Sequence, residues 1–479
     1  YHPGETVRLG LVLKPYDQAS QVRELTLALP RDARPGKVKI GVAARGSLPE
    51  LLQALTIQEP APSDLPSLLN QLQQETRGGD LAVRMVLPGQ GLRMGPHSLP
   101  LLPASWRQAL GASNQSHLTS SIEVLRSEIS TPWALRGKAL LEVELKSLEA
   151  PVEPKHQDSK PPSPVADLPT EGHCWTLKGS SPGGEFLGAA LDATGALTAG
   201  PPLESLWKSS DELILSLADG PGEALLAGMA GNGQVLRLLP GREATVFGHT
   251  GSAAVLSLVR SGGGIWGGTA PEGSLVRWDL EGRPTLRVRL PGAYVWALTP
   301  APEGGVYAAM GLPGSVYLVE ASGRMRTLWN GPAQHVRGLA LLRDGRLLVA
   351  TSQAGRLLRL DPTSGKVETL FHSPSPDLEA VAISGPHAWV ATEDSLYRVP
   401  LEAGAVQRFT PGPCPTLCLM GDGEGGVWAG QTDGSIARVP ASGEILRVPA
   451  SSKRPVLALL AEEQGVLAAR SFPVEILRL

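Results

Sequence analysis

The chain has 479 residues, 42% of them hydrophobic, with 43 basic against 46 acidic side chains and a net charge of −3. That near balance leaves no electrostatic footprint for nucleic acid or an anionic membrane surface, and no apolar run approaches the roughly 18 residues that span a bilayer. The length implies more than one folded unit. The first residues hold no basic start with an apolar signal core, and the opening Tyr1 leads to the expectation of a longer precursor or a trimmed chain.

Residues 1–45 alternate apolar and polar positions: Val7, Leu9, Leu11 and Leu13, then Leu25, Leu27 and Leu29, then Val38, Ile40 and Val42. This period predicts three half-buried antiparallel strands, a sandwich-like region. Ser47-Leu48-Pro49-Glu50 has the form of a capping box, and Leu48, Leu51, Leu52 and Leu55 continue it as a helical stripe. Asp64 caps a second expected helix with Leu65, Leu68, Leu69 and Leu72 on one side, ended by Gly78-Gly79. Strand patterns return at Leu81–Leu87, Ile122–Ile129 and Ala139–Leu145, so a first α+β domain is expected over 1–148.

The stretches PGETVRLGLVLKPY, VRELTLALPRDARPGKVKIGVA, DLPSLLNQLQQETRGGDLAVRMVLP and STPWALRGKALLEVELK resemble the segment that follows the peptidase and PDZ parts of secreted bacterial proteins related to the stage IV sporulation protein B family of serine peptidases. The resemblance covers residues 1–148 and concerns an accessory segment. The family's Gly-Met-Ser-Gly-Ser-Pro type nucleophile motif is absent from the sequence, so no catalytic residue carries over. It implies an exported protein.

Residues 149–172, with Pro151, Pro154, Pro161, Pro162, Pro164 and Pro169 and little apolar bulk, predict an extended linker. Beyond it one phrase repeats: an apolar start, a Gly turn, an apolar run ending in small residues, a second Gly turn and a third apolar run. The starts lie at Ile214, Val255, Val295, Val336, Leu378, Thr416 and Val456, spaced by 41, 40, 41, 42, 38 and 40 residues. A four-stranded propeller blade takes about 40–45 residues. The expected fold is therefore mainly β, a seven-bladed β-propeller over 173–479, similar to WD- and NHL-type repeats, behind the smaller α+β domain. The third position of each start is small (Ser216, Ser257, Ala297, Gly338, Ala380, Cys418, Ala458), which marks the innermost strand. Three strands follow Val456, so Leu203–Trp207 is expected to supply the fourth strand of the closing blade, with Glu185–Gly195 thickening that blade.

Candidate chemistry is sparse. Gly179-Ser180-Ser181-Pro182-Gly183 matches a nucleophile elbow, but Pro182 lacks the N–H that an oxyanion hole needs. Gly421-Asp422-Gly423-Glu424-Gly425-Gly426 reads as a hairpin turn, because Pro300–Gly305 and Arg343–Arg346 fill the same slot elsewhere. Asn114-Gln115-Ser116 matches a glycosylation sequon by pattern alone. No metal spacing and no cofactor motif is found, and of three cysteines, Cys174 and Cys414 are candidates for a disulfide in an oxidising compartment, two free thiols being the default.

One asymmetry stands out. The residues on either side of each start are apolar in repeats one, two, six and seven. In repeats three, four and five they are Tyr294/Trp296, His335/Arg337 and Asp377/Glu379. An aromatic, a basic and an acidic pair thus share one mouth of the ring, a candidate ligand-binding site, with an Arg337–Glu379 ion pair between blades as the structural alternative. The expected function is a non-catalytic binding or assembly platform, exported to the periplasm, cell surface or medium. Its expected partner is a protein, either the N-terminal part of its own precursor or a larger assembly. The alternatives are the substrate-recruiting half of a serine peptidase whose catalytic part is elsewhere and, more weakly, a propeller hydrolase or lactonase.

Overall fold

The computed structural model describes residues 1, 5–14, 20–28, 36–55, 80–94, 97–99, 102–111, 118–130, 135–145, 189–191, 197–199, 203–209, 213–331, 333–412, 414–442, 444–450, 454–462, 465–471 and 474–479. The second expected helix (64–78), the linker (149–172), the elbow-like turn (179–183), the sequon (114–116) and Cys174 lie outside them. By contacts the chain divides into two compact units, one of Tyr1–Gly91 with Ser120–Pro182 and one of Leu92–Thr119 with Gly183–Leu479. By this division Leu92–Thr119 groups with the second unit.

In the first unit, β1 (Thr6–Leu13) and β2 (Gln21–Ala28) form a hairpin. In a separate sheet, β3 (Gly36–Ala44) lies between β4 (Asp80–Met94) and β7 (Lys138–Leu145), antiparallel to both. Two-residue alternation sends Val38, Ile40 and Val42 to one buried cluster with Val7, Leu25, Leu27, Val83 and Val143, which joins the two sheets as the sandwich-like pattern predicts. Helix α1 (Leu48–Ala54) covers the other side of β3. A side chain at Gly41 would meet Leu51 Cδ1 at 2.5 Å, so a glycine there lets the helix approach. The capping box does not close: Ser47 occupies the cap position without a side-chain cap, its Oγ instead accepting from Gly137 N–H at 3.2 Å, and Glu50 pairs with Lys138 at 2.9 Å. Strand β6 (Leu118–Ser130) pairs with β4.

The second unit is a β-propeller. Among its described residues, seven antiparallel four-stranded meanders follow one another: Ile214–His249, Ala254–Arg289, Tyr294–Asn330, His335–His372, Ala380–Phe409, Thr416–Val448, and Val456–Arg478 completed by Glu204–Ser209. The third and fourth share a single bridge, Gly311 with His335. Inner strands neighbour one another in chain order, and Ile214–Asp219 neighbours Val456–Glu462 as well as Ala254–Ser261. The first strand in sequence of this ring, Glu204–Ser209, pairs with the last, Val474–Arg478, so the two ends of the repeat region meet in one sheet.

The segment expected to thicken the closing blade does something else. Ala189–Leu191 pairs with Leu446–Val448, the outer edge of the sixth meander, and Ala190 is buried there beside Trp428, Ile436 and Val448. An outer strand leaves a row of unpaired backbone groups, and this short strand covers one.

The small third position of each start also has a more specific cause than crowding at the axis. Ser216 Oγ donates to Val255 O at 3.1 Å, Ser257 Oγ to Val295 O at 3.0 Å, and Cys418 Sγ lies 3.5 Å from Val456 O. Each reaches the start position of the next repeat on its inner strand, so the column is small because two inner strands nearly touch. The hairpin turn at Gly421–Gly426 forms as expected, Asp422 Oδ1 accepting from Glu424 N–H at 2.9 Å and Gly426 N–H at 2.8 Å.

Candidate functional site at the mouth of the propeller

The inner strands deliver their side chains to the mouth through a repeated irregularity. In six meanders the register slips between the first and third positions, which places Leu215, Leu256, Trp296, Arg337, Leu417 and Leu457 at a bulge. In the fifth, Glu379 stands at the same place, its N–H donating to Ala391 O at 2.8 Å. Repeats one, two, six and seven therefore offer leucines to the mouth, and the other three offer Trp296, Arg337 and Glu379.

Helix α2 (Ala104–Gly111) closes over this ring of side chains. Leu92, Leu99, Leu102, Trp106, Ala109 and Leu110 form one buried cluster with Leu213, Leu215, Leu256, Tyr294, Trp296, Leu417 and Leu457. Strand β5 (His97–Leu99) turns back on the end of β4 just before the helix. Sequence reading left α2 unassigned. Its signal was present, because Trp106, Ala109 and Leu110 are spaced as a helical stripe between Pro103 and Gly111, with Leu102 four residues before Trp106.

Tyr294, Trp296, His335, Arg337 and Glu379 are all buried, so a helix of the same chain occupies the candidate ligand-binding site at the mouth. Tyr294 and Trp296 stack with centroids 4.8 Å apart, and Trp106 meets Trp296 edge-on at 5.2 Å. Trp296 Nε1 donates to His335 Nδ1 at 3.0 Å, which requires that nitrogen to be unprotonated. The pair lies directly over Gly311, where an added Cβ would come within 2.3 Å of His335 Nδ1 and 2.5 Å of Trp296 Nε1. The Arg337 guanidinium sits 3.9 Å from the Trp296 ring centre and 5.0 Å from that of Trp106, two cation–π contacts in a buried site.

Arg337 Nε lies 3.7 Å from Glu379 Oε2, with both side chains only 3% exposed. This is the interblade ion pair of the structural alternative, too long for a hydrogen bond. Burial brings the Arg337 guanidinium down to about 10, against the opposing pull of Glu379 and Asp377. Burial likewise pushes the Glu379 carboxyl up, opposed by Arg337 and by the Ser105 hydroxyl at the start of α2. Asp377 points elsewhere. Its carboxylate accepts from the Ser352 hydroxyl and from Gln353 N–H, the latter at 2.8 Å, holding Gln353 in its left-handed turn conformation. Five of the six predicted residues thus meet at the mouth, and the sixth braces the turn beside it.

No group of three or more His, Cys, Asp or Glu suited to a metal is found among the described residues. Among those residues no helix is long and apolar enough to cross a membrane.

No family model matches the chain, and no curated protein matches it. Its structure is similar to streptogramin B lyase, with 15% identity and a TM-score of 0.52 over 57% of this chain and 96% of that one. It is similar to virginiamycin B lyase from Staphylococcus aureus in a catalytically inactive form with quinupristin, at 15% identity and a TM-score of 0.52 over 58% and 99%. The selenomethionine form of that lyase gives 15% and 0.50 over 58% and 98%. Likeness at this identity shows the fold, a β-propeller. It lends no support to the resemblance of residues 1–148 to sporulation-type peptidase relatives.

Proposed function

We propose that this protein is a non-catalytic binding or assembly platform, an exported protein whose seven meanders are the seven blades of a closed ring that recognises a protein partner. The observation that carries the reading is the occupant of the mouth. Where a propeller offers its concave end to ligands, this one holds its own α2 against an aromatic, cationic and anionic wall. A surface that holds a helix with Trp106 as anchor has the chemistry of protein recognition, since buried aromatic and Arg contacts dominate such interfaces.

The likeness to streptogramin B lyase favours one other reading, a lyase, and the buried His335, Arg337 and Glu379 would then be the groups to suspect. A single set of measurements separates the two. The purified full chain should neither react with serine-directed covalent probes nor turn over esters, peptides or cyclic depsipeptides, while cross-linking in the cells that make it should recover a protein bound to the ring. Turnover abolished by Glu379→Gln would overturn the platform reading. Recovery of a companion chain carrying a peptidase nucleophile would move the protein to the accessory-subunit alternative. Export is checked by fractionating those cells, and retention in the cytoplasm would refute it.

A further inference from the structure

The mouth and its occupant do not fit each other fully. Trp106 Nε1, Arg337 Nε and Glu379 Oε2 are buried with no hydrogen-bond partner among the described residues. The apolar part of the contact is complete, the aromatic part is good, and the polar part is left open. Buried polar atoms without partners weaken the contact that buries them, so α2 is a poorer ligand than this socket could hold. The helix is also short, a little over two turns, and such a helix owes its stability to the surface it docks on.

We propose, building on the platform reading, that the mouth is a helical-peptide site and that α2 is its tethered resident, displaced by an amphipathic helix of a partner protein. The partner helix carries a Trp and, four residues on, a Leu, as Trp106 and Leu110 do here. At the position of Ser105 it carries a carboxamide side chain. A carboxamide reaches further than the Ser105 hydroxyl, whose Oγ is itself buried without a hydrogen-bond partner among the described residues, and it answers both open groups together, its oxygen accepting from Arg337 Nε and its NH₂ donating to Glu379 Oε2. The resident competes by proximity: a tethered ligand acts at an effective concentration of about 1 mM, so the wild-type mouth is mostly closed to weak partners and open to a better-matched one.

The test uses the full chain and two synthetic peptides, one with the sequence of residues 101–111 and one identical except for Ser105→Asn. Trp106→Ala in the protein removes the resident's anchor. It is expected to bind the first peptide at least about tenfold more tightly than wild type does, and the Asn peptide a further fivefold or more, about 1 kcal/mol. Combining it with Arg337→Met and Glu379→Leu should erase the preference for Asn. Failure of both peptides to bind Trp106→Ala protein that keeps its melting transition overturns the proposal, and so does indifference to Asn.

Hydrogen exchange on the wild-type chain gives a readout that needs no variant. Amides of residues 104–111 should exchange through an opening that leaves those of Val295–Leu298 and Val336–Leu339 protected. Exchange of α2 only together with the inner strands would make it a fixed part of the ring and overturn the proposal. If the peptides fail while cross-linking still recovers a partner, the platform reading stands and the tethered ligand alone is wrong. Substrate turnover sinks the platform reading.

Discussion

Removing one charge from the buried pair at the mouth gives a large, directional prediction. Arg337 stays charged at neutral pH although burial brings it down to about 10. A fall of that size corresponds to about 3 kcal/mol of burial cost that the neighbouring carboxylates do not offset. Glu379→Ala deletes the nearer carboxylate, 3.7 Å away, and leaves the cation with only the more distant Asp377. The expected loss is about 3–5 kcal/mol, the range seen when one partner of a buried ion pair is removed. The double variant Arg337→Met with Glu379→Leu removes both desolvation costs and gives up the cation–π contacts with Trp296 and Trp106, about 2 kcal/mol where desolvated. It should recover at least half of the single variant's loss. The assay is urea unfolding of the full chain followed by tryptophan fluorescence and circular dichroism. A loss below about 1 kcal/mol for Glu379→Ala, or a double variant as unstable as the sum of the singles, would refute the account of this pair.

Four further expectations follow from the same structure. The Glu379 carboxyl is pushed up by burial, so above the ordinary carboxylate value the native chain binds more protons than the unfolded one; the stability of wild type relative to Glu379→Gln should rise as pH falls towards the ordinary carboxylate range, and a flat difference in melting temperature would contradict it. Cys418 is partly buried and desolvation pushes its thiol up to about 12, so a thiol reagent at about pH 8 should modify it far more slowly in the folded than in the unfolded chain, with peptide mass mapping as the check. An added Cβ at Gly268 would meet Val295 Cγ1 and Ser257 Oγ at 2.4 Å each, so Gly268→Ala should cost about 1–3 kcal/mol by pushing two blades apart, whereas Gly46→Ala, which meets nothing within 4 Å, should stay within about 0.5 kcal/mol in the same unfolding assay. Deleting Val474–Leu479 removes the strand between Glu204–Ser209 and Gly465–Arg470, and should abolish the cooperative melting transition of the ring; an unchanged transition would mean that the closing sheet contributes little.

What the sequence determined by itself is local and periodic. The repeat of about 40 residues, the strand alternation and the turn glycines were legible because they recur in every blade and answer to backbone geometry alone. The meeting of Glu204–Ser209 with Val474–Arg478 was legible by counting, since a meander short of one strand needs it from somewhere. The grouping of Tyr294, Trp296, His335, Arg337 and Glu379 followed from the repeat register, because equivalent positions of a ring face the same end. The tertiary structure decided what covers that end. Leu102, Trp106, Ala109 and Leu110 form an ordinary apolar stripe in a segment flanked by strands of the first unit, and no period links them to the blades. Likewise, Ala189–Leu191 went to the outer edge of the sixth meander because an unpaired backbone edge accepts a short extended segment with little regard to its side chains. Asp377 sits one register step from the mouth yet serves Ser352 and Gln353, since a carboxylate goes to the hydrogen-bond donors it can reach, and these are fixed only once the chain has closed on itself.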